Sequence, residues 1–585
     1  MATTDLHAQV WPFDYETGRS LHRQGLAHLA TLIDHLKREA TNSLLLDNGD
    51  FLQGTVLADA AAEAGTMHPV IAAMNAIGYD AGTVGNHDFN YGLPLLDRAI
   101  KQAHFPLVCA NVTTVGTGQN YFRPYTILDR DLPCGDGRER PIRIGVVGGT
   151  PPEIMDWDRL HLQGKVTSSD ISDAITSNVR LLRAEGADIV VALCHAGIEP
   201  GPLGRSANNS ALQLATMHGV DAIIAGHTHS LFPQENQTSD DSTINHADGT
   251  LHGIPTIMPA AHGREIGVID LQLVHSNAGW KVAGHTSQRR PIPPRSRPNR
   301  YVLRATRGAH HAARAYIEEP LGITETALHL HFARIQDAPA LRLIADSQFG
   351  FVRCHATQVL EPDIPLLCAV APHQARAVPN GGHVTDIPIG TVRHRHLIDL
   401  LPYPNTLCVL ELTGQHIRDW LNRVARAFQH VPSSAQDAPL LNPVEPAYNF
   451  DVLFGLTYRF DLSQPVPAID RLQLAGRDVQ TLDRFHVITT NHRAGGGSGF
   501  SVLRDAVPVW TSSRTTRDVL RDYILLNPKI DPPTLATWSF KPMHGTTAKV
   551  TCEVGAGHHL TQLKHPALEP LGERPGNLID LRLHL

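Results

Sequence analysis

The chain has 585 residues, of which 42% are hydrophobic and 18% charged, so it has enough apolar side chains for a sizeable core and is not compositionally disordered. Its 50 Lys and Arg against 57 Asp and Glu give a net charge of −7, which argues against a protein-wide basic surface for binding a polynucleotide. Since no segment approaches the roughly 18 to 20 uninterrupted apolar residues of a membrane span, we expect a globular protein of two substantial domains without a transmembrane helix.

Short apolar runs alternate with amphipathic segments in the first half of the chain, which is the pattern of an α/β fold. Apolarity and periodicity predict buried strands at residues 44–46, 142–148, 189–193 and 222–225, and helices at residues 25–40, 68–77 and 171–185. The strands end in polar loops. In α/β folds, loops at the carboxyl ends of strands collect ligand-binding side chains.

A domain boundary is predicted near the middle of the chain. Residues 290–298 are rich in proline and cannot form regular structure throughout; they follow two strands predicted at residues 267–274 and 280–283. Residues 301–319 then form a predicted helix that Pro320 ends. We therefore expect a first domain at residues 1–290, a linker with a connector helix at residues 291–324, and a second mixed domain at residues 325–585.

Five short motifs with metal-binding side chains follow predicted strands or lie in adjoining loops. Each is common by itself, but together they place seven carboxylate, imidazole and amide groups in one domain: Asp5, His7, Asp50, Asn86, His195, His227 and His229. Such donors bind Zn²⁺, Mn²⁺, Fe or Co ions, and seven groups exceed what one ion needs. Two ions that share a carboxylate account for the set, and two ions roughly 3.5 to 4 Å apart are suited to hydrolysis of a phosphate ester.

The order Asp-x-His, Gly-Asp, Gly-Asn-His-Asp, His and Gly-His-x-His resembles the signature of the calcineurin-like metallophosphoesterases. Within that group, residues 47–54 and 85–92 are similar to the 5′-nucleotidase family. The resemblance implies an α/β protein with an N-terminal calcineurin-like metallophosphoesterase αββα sandwich and a C-terminal α+β substrate-binding domain of the 5′-nucleotidase type.

The resemblance also implies a role for each motif residue. Two divalent ions of the Mn, Zn, Co or Fe type are expected, bridged by Asp50. One ion is implied on Asp5, His7, Asp50 and His229, and the other on Asp50, Asn86, His195 and His227. His87 is implied as the catalytic histidine, which stabilises charge in the transition state or helps the leaving oxygen depart.

Two features depart from the family pattern. Only residues 1–4 precede Asp5, so the strand that the family has there is expected to be short or missing. The 5′-nucleotidases proper carry an Asp three residues after the catalytic His, whereas this chain has Asn90, which accepts a hydrogen bond but cannot stabilise an imidazolium by charge. Asn90, residues 151–158 and further segments along the whole chain are similar to the bifunctional 2′,3′-cyclic-nucleotide 2′-phosphodiesterase/3′-nucleotidase subfamily.

In this family the second domain stacks the base of the nucleotide between two aromatic rings. Tyr403 matches one ring position, and His492 stands at the other, where the smaller imidazole face implies weaker base binding or a shifted preference. Arg376 and Arg493 are the expected contacts to the nucleotide.

We therefore expect a metal-dependent phosphoric ester hydrolase that opens 2′,3′-cyclic nucleotides to 3′-nucleotides and then releases nucleoside and phosphate for nucleotide scavenging. The alternatives are a 5′-nucleotidase or UDP-sugar hydrolase on the same scaffold, and a catalytically inactive nucleotide-binding surface protein. We expect a monomer that binds nucleotides and no polynucleotide. The resemblance implies the periplasm or cell surface, whereas residues 1–5 have no signal-peptide pattern, so the compartment stays open between the cytoplasm and export of a longer chain.

Overall fold

The computed structural model describes residues 1–15, 18–199, 209–239, 241–277, 279–375, 383–533, 536–562 and 568–585. The chain divides into two compact units, Met1–Tyr316 and Ile317–Leu585. The division falls within residues 291–324, where we predict a linker and a connector helix. That helix spans Arg300–Glu318. It packs on the first unit, where His310 stacks on Trp11 at 3.8 Å between ring centroids.

Two mixed β-sheets form the centre of the first unit. In spatial order, the six-stranded sheet consists of Gly279–Pro291, Glu265–Ser276, Ala2–Thr3, Leu46–Asp47, Ala81–Thr83 and Leu107–Val108. The seven-stranded sheet consists of Ile244–Asn245, Thr250–Leu251, Ile254–Ile257, Ala222–Ile224, Ile189–Cys194, Glu139–Gly149 and Tyr125–Pro133. In each sheet the central strands run parallel, so their carboxyl ends lie at one edge.

The strand Ile189–Cys194 explains the layering, because all six of its side chains are apolar and buried. Ile189, Val191 and Leu193 pack in a core shared with the six-stranded sheet, which also contains Leu46 and Ala81. The alternate side chains at 190, 192 and 194 pack against the helix Ile171–Ala184. A strand covered on both faces is apolar throughout rather than alternating, and the two faces make this unit a layered sandwich.

The predicted helices are confirmed, with local signals at their ends. They span Leu26–Glu39, Pro69–Ile77 and Ile171–Ala184. The last begins after Asp170, whose carboxylate accepts hydrogen bonds from the backbone of Ser172 and Asp173. The second ends at Gly78, which adopts the left-handed conformation that glycine favours at this position. The other helices of this unit are Val56–Ala64, Leu93–Gln102, Ile154–Trp157, Arg159–Leu162 and Ser210–Leu214.

The first strand is short but present. Ala2–Thr3 pairs in parallel with Leu46–Asp47 and in antiparallel with Gly267 of Glu265–Ser276. The strand predicted at residues 44–46 begins later, at Leu46. The strand predicted at residues 280–283 is longer than expected and extends to Pro291, into the proline-rich segment.

The second unit combines helices with several separate sheets, as the α+β expectation requires. Its five-stranded sheet orders Val452–Phe454, Leu366–Val370, Arg484–Thr490, Thr406–Thr413 and Pro508–Thr515. One four-stranded sheet consists, in spatial order, of Ala438–Pro439, Thr547–Glu553, Leu578–His584 and Leu568–Arg574. A second four-stranded sheet consists of Arg477–Asp478, Ala468–Leu474, Thr457–Asp461 and Trp538–Phe540. The longer helices are Pro339–His355, His394–Leu400, Gly414–Val424 and Thr516–Leu526.

Among the described residues, no helix is both long and apolar enough to cross a bilayer. All seven cysteines are free thiols, and five of them are buried.

Candidate metal centre

The seven predicted ligands converge because each follows a parallel strand of one of the two sheets. Asp5 and His7 follow Ala2–Thr3, Asp50 follows Leu46–Asp47, and Asn86 follows Ala81–Thr83. From the seven-stranded sheet, His195 directly follows Ile189–Cys194, and His227 and His229 come after Ala222–Ile224. The carboxyl edges of both sheets therefore supply one centre.

The first group of donors comprises Asp5, His7 and His229, whose ligand atoms all lie within 4.8 Å of one another. Nε2 of His229 lies 3.4 Å from Oδ1 of Asp5. Nε2 of His7 lies 3.0 Å from Nε2 of His229. Asp5 is completely buried, whereas the side chain of His229 is partly exposed.

The second group comprises Asp50, His195 and His227, again with ligand atoms within 4.8 Å. The amide oxygen of Asn86 joins this group at 2.8 Å from Nδ1 of His227. Nε2 of His195 lies 3.1 Å from Oδ2 of Asp50 and 3.9 Å from Oδ1 of Asp5, so the two groups adjoin.

The unpaired atoms of this centre fit divalent cations. Oδ2 of Asp50 and Nε2 of His195 are buried and face each other without hydrogen-bond geometry, and neither has another hydrogen-bond partner among the described residues. The other imidazole nitrogens are anchored: Nδ1 of His195 lies 2.6 Å from Asn48 O, and Nδ1 of His7 lies 3.1 Å from Gln53 O. When Nδ1 donates to a carbonyl, the neutral form of the imidazole carries on Nε2 the lone pair that a metal requires.

The electrostatics of the centre also favour bound cations. Burial lowers the pKa of His7 and that of His227 to about 4, so both imidazoles are neutral ligands at pH 7. Burial by itself raises the pKa of Asp50, but the charge of His195 holds that pKa well below its usual range. Burial opposes protonation of His195, yet the charge of Asp50 raises the pKa of His195 to about 10. The carboxylate is thus ready to bind, and a cation must displace a proton from His195.

Backbone strain concentrates at the same residues. Five of the seven predicted ligands adopt positive φ angles, namely Asp5 (51°), His7 (46°), Asp50 (57°), His227 (70°) and His229 (55°). Side-chain-bearing residues rarely adopt this conformation, and it persists where the surroundings impose it, typically at functional sites. The motif requires glycine at position 85, because a Cβ there would lie 2.7 Å from Cε1 of His195 and even closer to Asp50.

Asp88 holds the loop that carries Asp50. Its carboxylate accepts hydrogen bonds from the backbone N–H groups of Asp50, Phe51, Leu52 and Gly85 at 2.8 to 3.0 Å. Burial, followed by the charge of Asp50, raises the pKa of Asp88 to about 7. The motif contained Asp88, but its role as an anchor required the three-dimensional structure.

His87 lies beside both donor groups. Its backbone N–H donates to Oδ1 of Asp50 at 2.7 Å, and its ring centroid is 5.2 Å from that of His7. Nδ1 of His87 lies 2.8 Å from Oδ1 of Asn90, which fixes the orientation of the ring. Asn90 in turn donates to Asp158, a buried carboxylate that the sequence interpretation did not assign.

His262 is a second residue near the centre that the motifs did not indicate. Its ring lies 5.3 Å from that of His7 and 5.9 Å from that of His229, and its backbone N–H donates to Asp5 O. Burial lowers the pKa of His262 to about 3, so it is a neutral side chain. No sequence spacing relates it to the other histidines, so only the fold reveals it.

In the second unit, the predicted substrate-binding loops adjoin. The backbone N–H of Thr406 donates to Asn491 at 2.9 Å, and the ring of Tyr403 lies 5.7 Å from that of His373. Tyr403 is 39% exposed, so part of its ring is accessible to solvent. His492 is half-buried, with Nε2 at 3.2 Å from Oγ of Ser498.

The structure revises the expectation for Arg493. Its guanidinium is buried, pairs with Asp451 at 2.9 Å, donates to Tyr448 O and Gly497 O, and lies over the ring of Phe500. These contacts engage the guanidinium within the unit, so the side chain holds the loop that carries it. Arg376, the other predicted arginine, lies outside the described residues.

Comparisons with known proteins agree with this architecture. The model of the calcineurin-like phosphoesterase family matches residues 1–231, and that of the 5′-nucleotidase C-terminal domain matches residues 319–505. The trifunctional nucleotide phosphoesterase protein YfkN of Bacillus subtilis is 36% identical over 93% of this chain, which spans only 39% of YfkN. A 2′,3′-cyclic-nucleotide 2′-phosphodiesterase/3′-nucleotidase of Yersinia enterocolitica is 34% identical over 90% of this chain and 84% of that protein. The crystal structure of a 5′-nucleotidase precursor from Thermus thermophilus shares the fold, with a TM-score of 0.59 and 22% identity over 92% of this chain and 98% of that one.

Proposed function

The chain belongs to the 5′-nucleotidase family of calcineurin-like metallophosphoesterases, and on that premise we propose that it opens 2′,3′-cyclic nucleotides to 3′-nucleotides and then removes the 3′-phosphate. The family is one of metal-dependent hydrolases, so hydrolysis of phosphate esters follows from membership. The choice of the cyclic and 3′ esters is supported by the 34% identity over 90% of the chain to a protein named for those two activities.

One observation carries the proposal: two donor groups adjoin at the carboxyl edges of the sheets, with Asp5, His7 and His229 in one and Asp50, His195 and His227 in the other. We assign one ion to the first group together with Asp50, and a second to the latter group together with Asn86. Two such ions supply Lewis-acid charge for the phosphoryl group and a nucleophile at neutral pH.

His87 acts on the phosphoryl or leaving oxygen in this scheme. Because Nδ1 is engaged by Asn90, Nε2 is the nitrogen that can donate a proton. Opening of the cyclic ester releases the 2′ oxygen, and the second hydrolysis releases the 3′ oxygen. Both leaving oxygens need a proton or a stabilising hydrogen bond, and His87 provides it in each step.

The second unit holds the nucleoside. Tyr403 offers a partly exposed ring, and stacking is worth roughly 1 to 3 kcal/mol with any base, because every base has a π-face. We propose Tyr403 and His492 as the stacking pair, with the smaller imidazole face of His492 weakening base binding or shifting the base preference.

A direct assay tests the proposal. The protein, loaded with Mn²⁺, is incubated with 2′,3′-cyclic AMP, 3′-AMP and 5′-AMP, and phosphate and nucleoside are measured. Turnover of the first two substrates, with 3′-AMP as the transient product of the first, is expected. Turnover of 5′-AMP alone would instead assign a 5′-nucleotidase, and nucleotide binding with bound metal but no turnover of any substrate would assign an inactive binding protein.

A further inference from the structure

Most of the histidines of this chain lie outside the metal centre of the first unit. There are 35 in total, and the motifs account for His7, His87, His195, His227 and His229. In the second unit, three histidines meet around one carboxylate: His329, His331 and His559 around Asp386. This group, which we call the histidine cluster, takes no part in the function proposed above.

The fold brings the histidine cluster together from three distant segments. The strand Leu328–His329 pairs with Asp386–Ile387, in a register that sets His329 opposite Asp386. His331 follows two residues after His329. His559 comes from the 3₁₀ helix Val554–Gln562. The carboxylate thus meets partners 55 and 173 residues away along the chain.

The geometry of the histidine cluster is that of a metal site. Nε2 of His559 lies 2.9 Å from one carboxylate oxygen of Asp386, and Nε2 of His331 lies 3.4 Å from the other. One ligand atom from each of these three residues lies within 4.8 Å of the others, as in the two donor groups of the first unit. Each imidazole therefore already points a nitrogen at a shared space next to the carboxylate.

Burial separates this cluster from a chance group of surface histidines. The side chain of His331 is only 3% exposed and that of His559 10%, whereas Asp386 is 38% exposed. His329 is buried as well and stacks on His559 at 4.1 Å between ring centroids. Nδ1 of all three rings is buried and has no hydrogen-bond partner among the described residues. The imidazoles are thus held by packing while one side of Asp386 remains open to solvent.

We propose that His331, Asp386 and His559 bind a divalent transition-metal ion, with Zn²⁺ as the expected occupant. Two imidazole nitrogens and one carboxylate oxygen are a donor set that Zn²⁺ binds, and a water completes the tetrahedron. The hard ions Ca²⁺ and Mg²⁺ are disfavoured, because they require mostly oxygen ligands.

The bound ion cross-links the segment Val554–Gln562 to the strand pair at residues 328–329 and 386–387. Because the cluster is assembled only in the folded chain, Zn²⁺ binds the folded state in preference to the unfolded one and so contributes to folding stability. Its role is therefore structural, in the second unit alone, and it does not rest on the proposed hydrolysis.

The test compares zinc content and thermal stability of full-length variants. After removal of all metal with a chelator and reloading with Zn²⁺, His559→Gln and Asp386→Asn are expected to hold one equivalent of zinc less than wild type. His558→Gln is the matched control, since this exposed neighbour lies on the same 3₁₀ helix and outside the cluster; it should bind as wild type does. The same loss of one equivalent is expected when the comparison is repeated in an Asp50→Asn background, which separates this site from the centre of the first unit.

Zn²⁺ is also expected to raise the melting temperature of wild type and His558→Gln more than that of His559→Gln. Equal zinc content in wild type and His559→Gln overturns the proposal. If His559→Gln melts lower than wild type already in chelator while its zinc content is unchanged, the group is a hydrogen-bonded cluster, and the proposal is likewise overturned. Nucleotide hydrolysis is not the readout, so this outcome is independent of the activity assay.

Discussion

Asn90 donates its side-chain amide to both carboxylate oxygens of Asp158, at 3.2 Å in each case. The oxygen of the same amide lies 2.8 Å from Nδ1 of His87, so Asn90 connects the imidazole to a buried negative charge. A carboxylate that binds the imidazole directly would stabilise the imidazolium more strongly. Here the charge acts through an intervening amide, which makes Asp158 a positioning residue for His87.

Replacement of Asp158 is expected to lower kcat through misplacement of His87. For Asp158→Asn we expect kcat to fall by about 10- to 100-fold, the usual effect of removing a partner that orients a reacting side chain, with little change in KM. Steady-state kinetics with 2′,3′-cyclic AMP measure this. Asn90→Asp in the Asp158→Asn background is the rescue, because it places a carboxylate directly against His87; an unchanged kcat in the single variant would contradict the role.

The pH dependence of kcat should report the ionisation of Asp158. Burial raises the pKa of Asp158 to about 7. Its ionised form accepts both hydrogen bonds from Asn90, so kcat is expected to rise with pH through about 7 and then level off. The pH profile of Asp158→Asn should lack this rise when kcat is measured from about pH 5 to about pH 9.

The stability of the fold should show the opposite trend. Since the folded-state pKa of Asp158 exceeds the unfolded value of about 3.9, its contribution to stability is present below about pH 4 and is lost as the pH rises through about 7. The melting temperature of the metal-free protein should therefore fall less steeply with rising pH in Asp158→Asn than in wild type. Parallel curves for the two proteins would exclude the raised pKa.

Asp50 is expected to be indispensable for metal binding. Asp50→Asn removes the carboxylate that faces His195 and adjoins both donor groups. We expect loss of bound Mn²⁺ from the first unit and a fall in kcat/KM of at least about 1000-fold, since charge stabilisation at the phosphoryl group is lost. Metal analysis and initial rates measure the two effects. Asp136→Asn is the control, because this half-exposed carboxylate forms an ion pair with Arg140, accepts a hydrogen bond from the backbone of Arg138, and belongs to neither donor group.

Gly85→Ala should disable the centre by steric displacement. The added Cβ would approach Asp50 and Cε1 of His195, so one of these side chains must move. We expect weaker metal binding and a loss of activity of about 100-fold, in keeping with the cost of a displacement of about 1 Å. Gly308→Ala is the matched control: Gly308 is exposed in the helix Arg300–Glu318 with no atom near its Cβ position, and the change should stabilise the protein by about 0.5 to 1 kcal/mol. Equal activity of both variants would rule out the close packing at Gly85.

Tyr403 should govern affinity for the base rather than the chemical step. Loss of one stacking partner worth roughly 1 to 3 kcal/mol predicts that Tyr403→Ala raises KM for 3′-AMP by about 5- to 150-fold with kcat nearly unchanged. Tyr403→Phe keeps the ring and should retain the wild-type KM. Hydrolysis of bis-p-nitrophenyl phosphate, which has no base, should not respond to either change; a matching loss with this substrate would point to a structural defect.

The order of a few motifs already predicted which side chains the fold brings together at the candidate metal centre. Short-range signals are sufficient there, because parallel strands deliver the residues that follow them to one edge, whatever the length of the connecting segments. The helices 25–40, 68–77 and 171–185 were predictable for a similar reason, since periodicity, Asp170 and Gly78 are local features. The predicted ends of the strands were less accurate than those of the helices, because pairing with neighbouring strands decides where a strand begins.

Tertiary structure alone decided the contacts between residues that no spacing relates. Asp158 lies 68 residues after Asn90, and His559 lies 173 residues after Asp386, so neither pair forms a motif. Arg493 showed the reverse: a position that matched a substrate-binding segment proved to be buried against Asp451 and Phe500. Sequence determines which groups can bind a metal or a proton, because that depends on side-chain chemistry. Which of them are buried, paired or brought together depends on packing between distant segments, and that is settled only when the chain has folded.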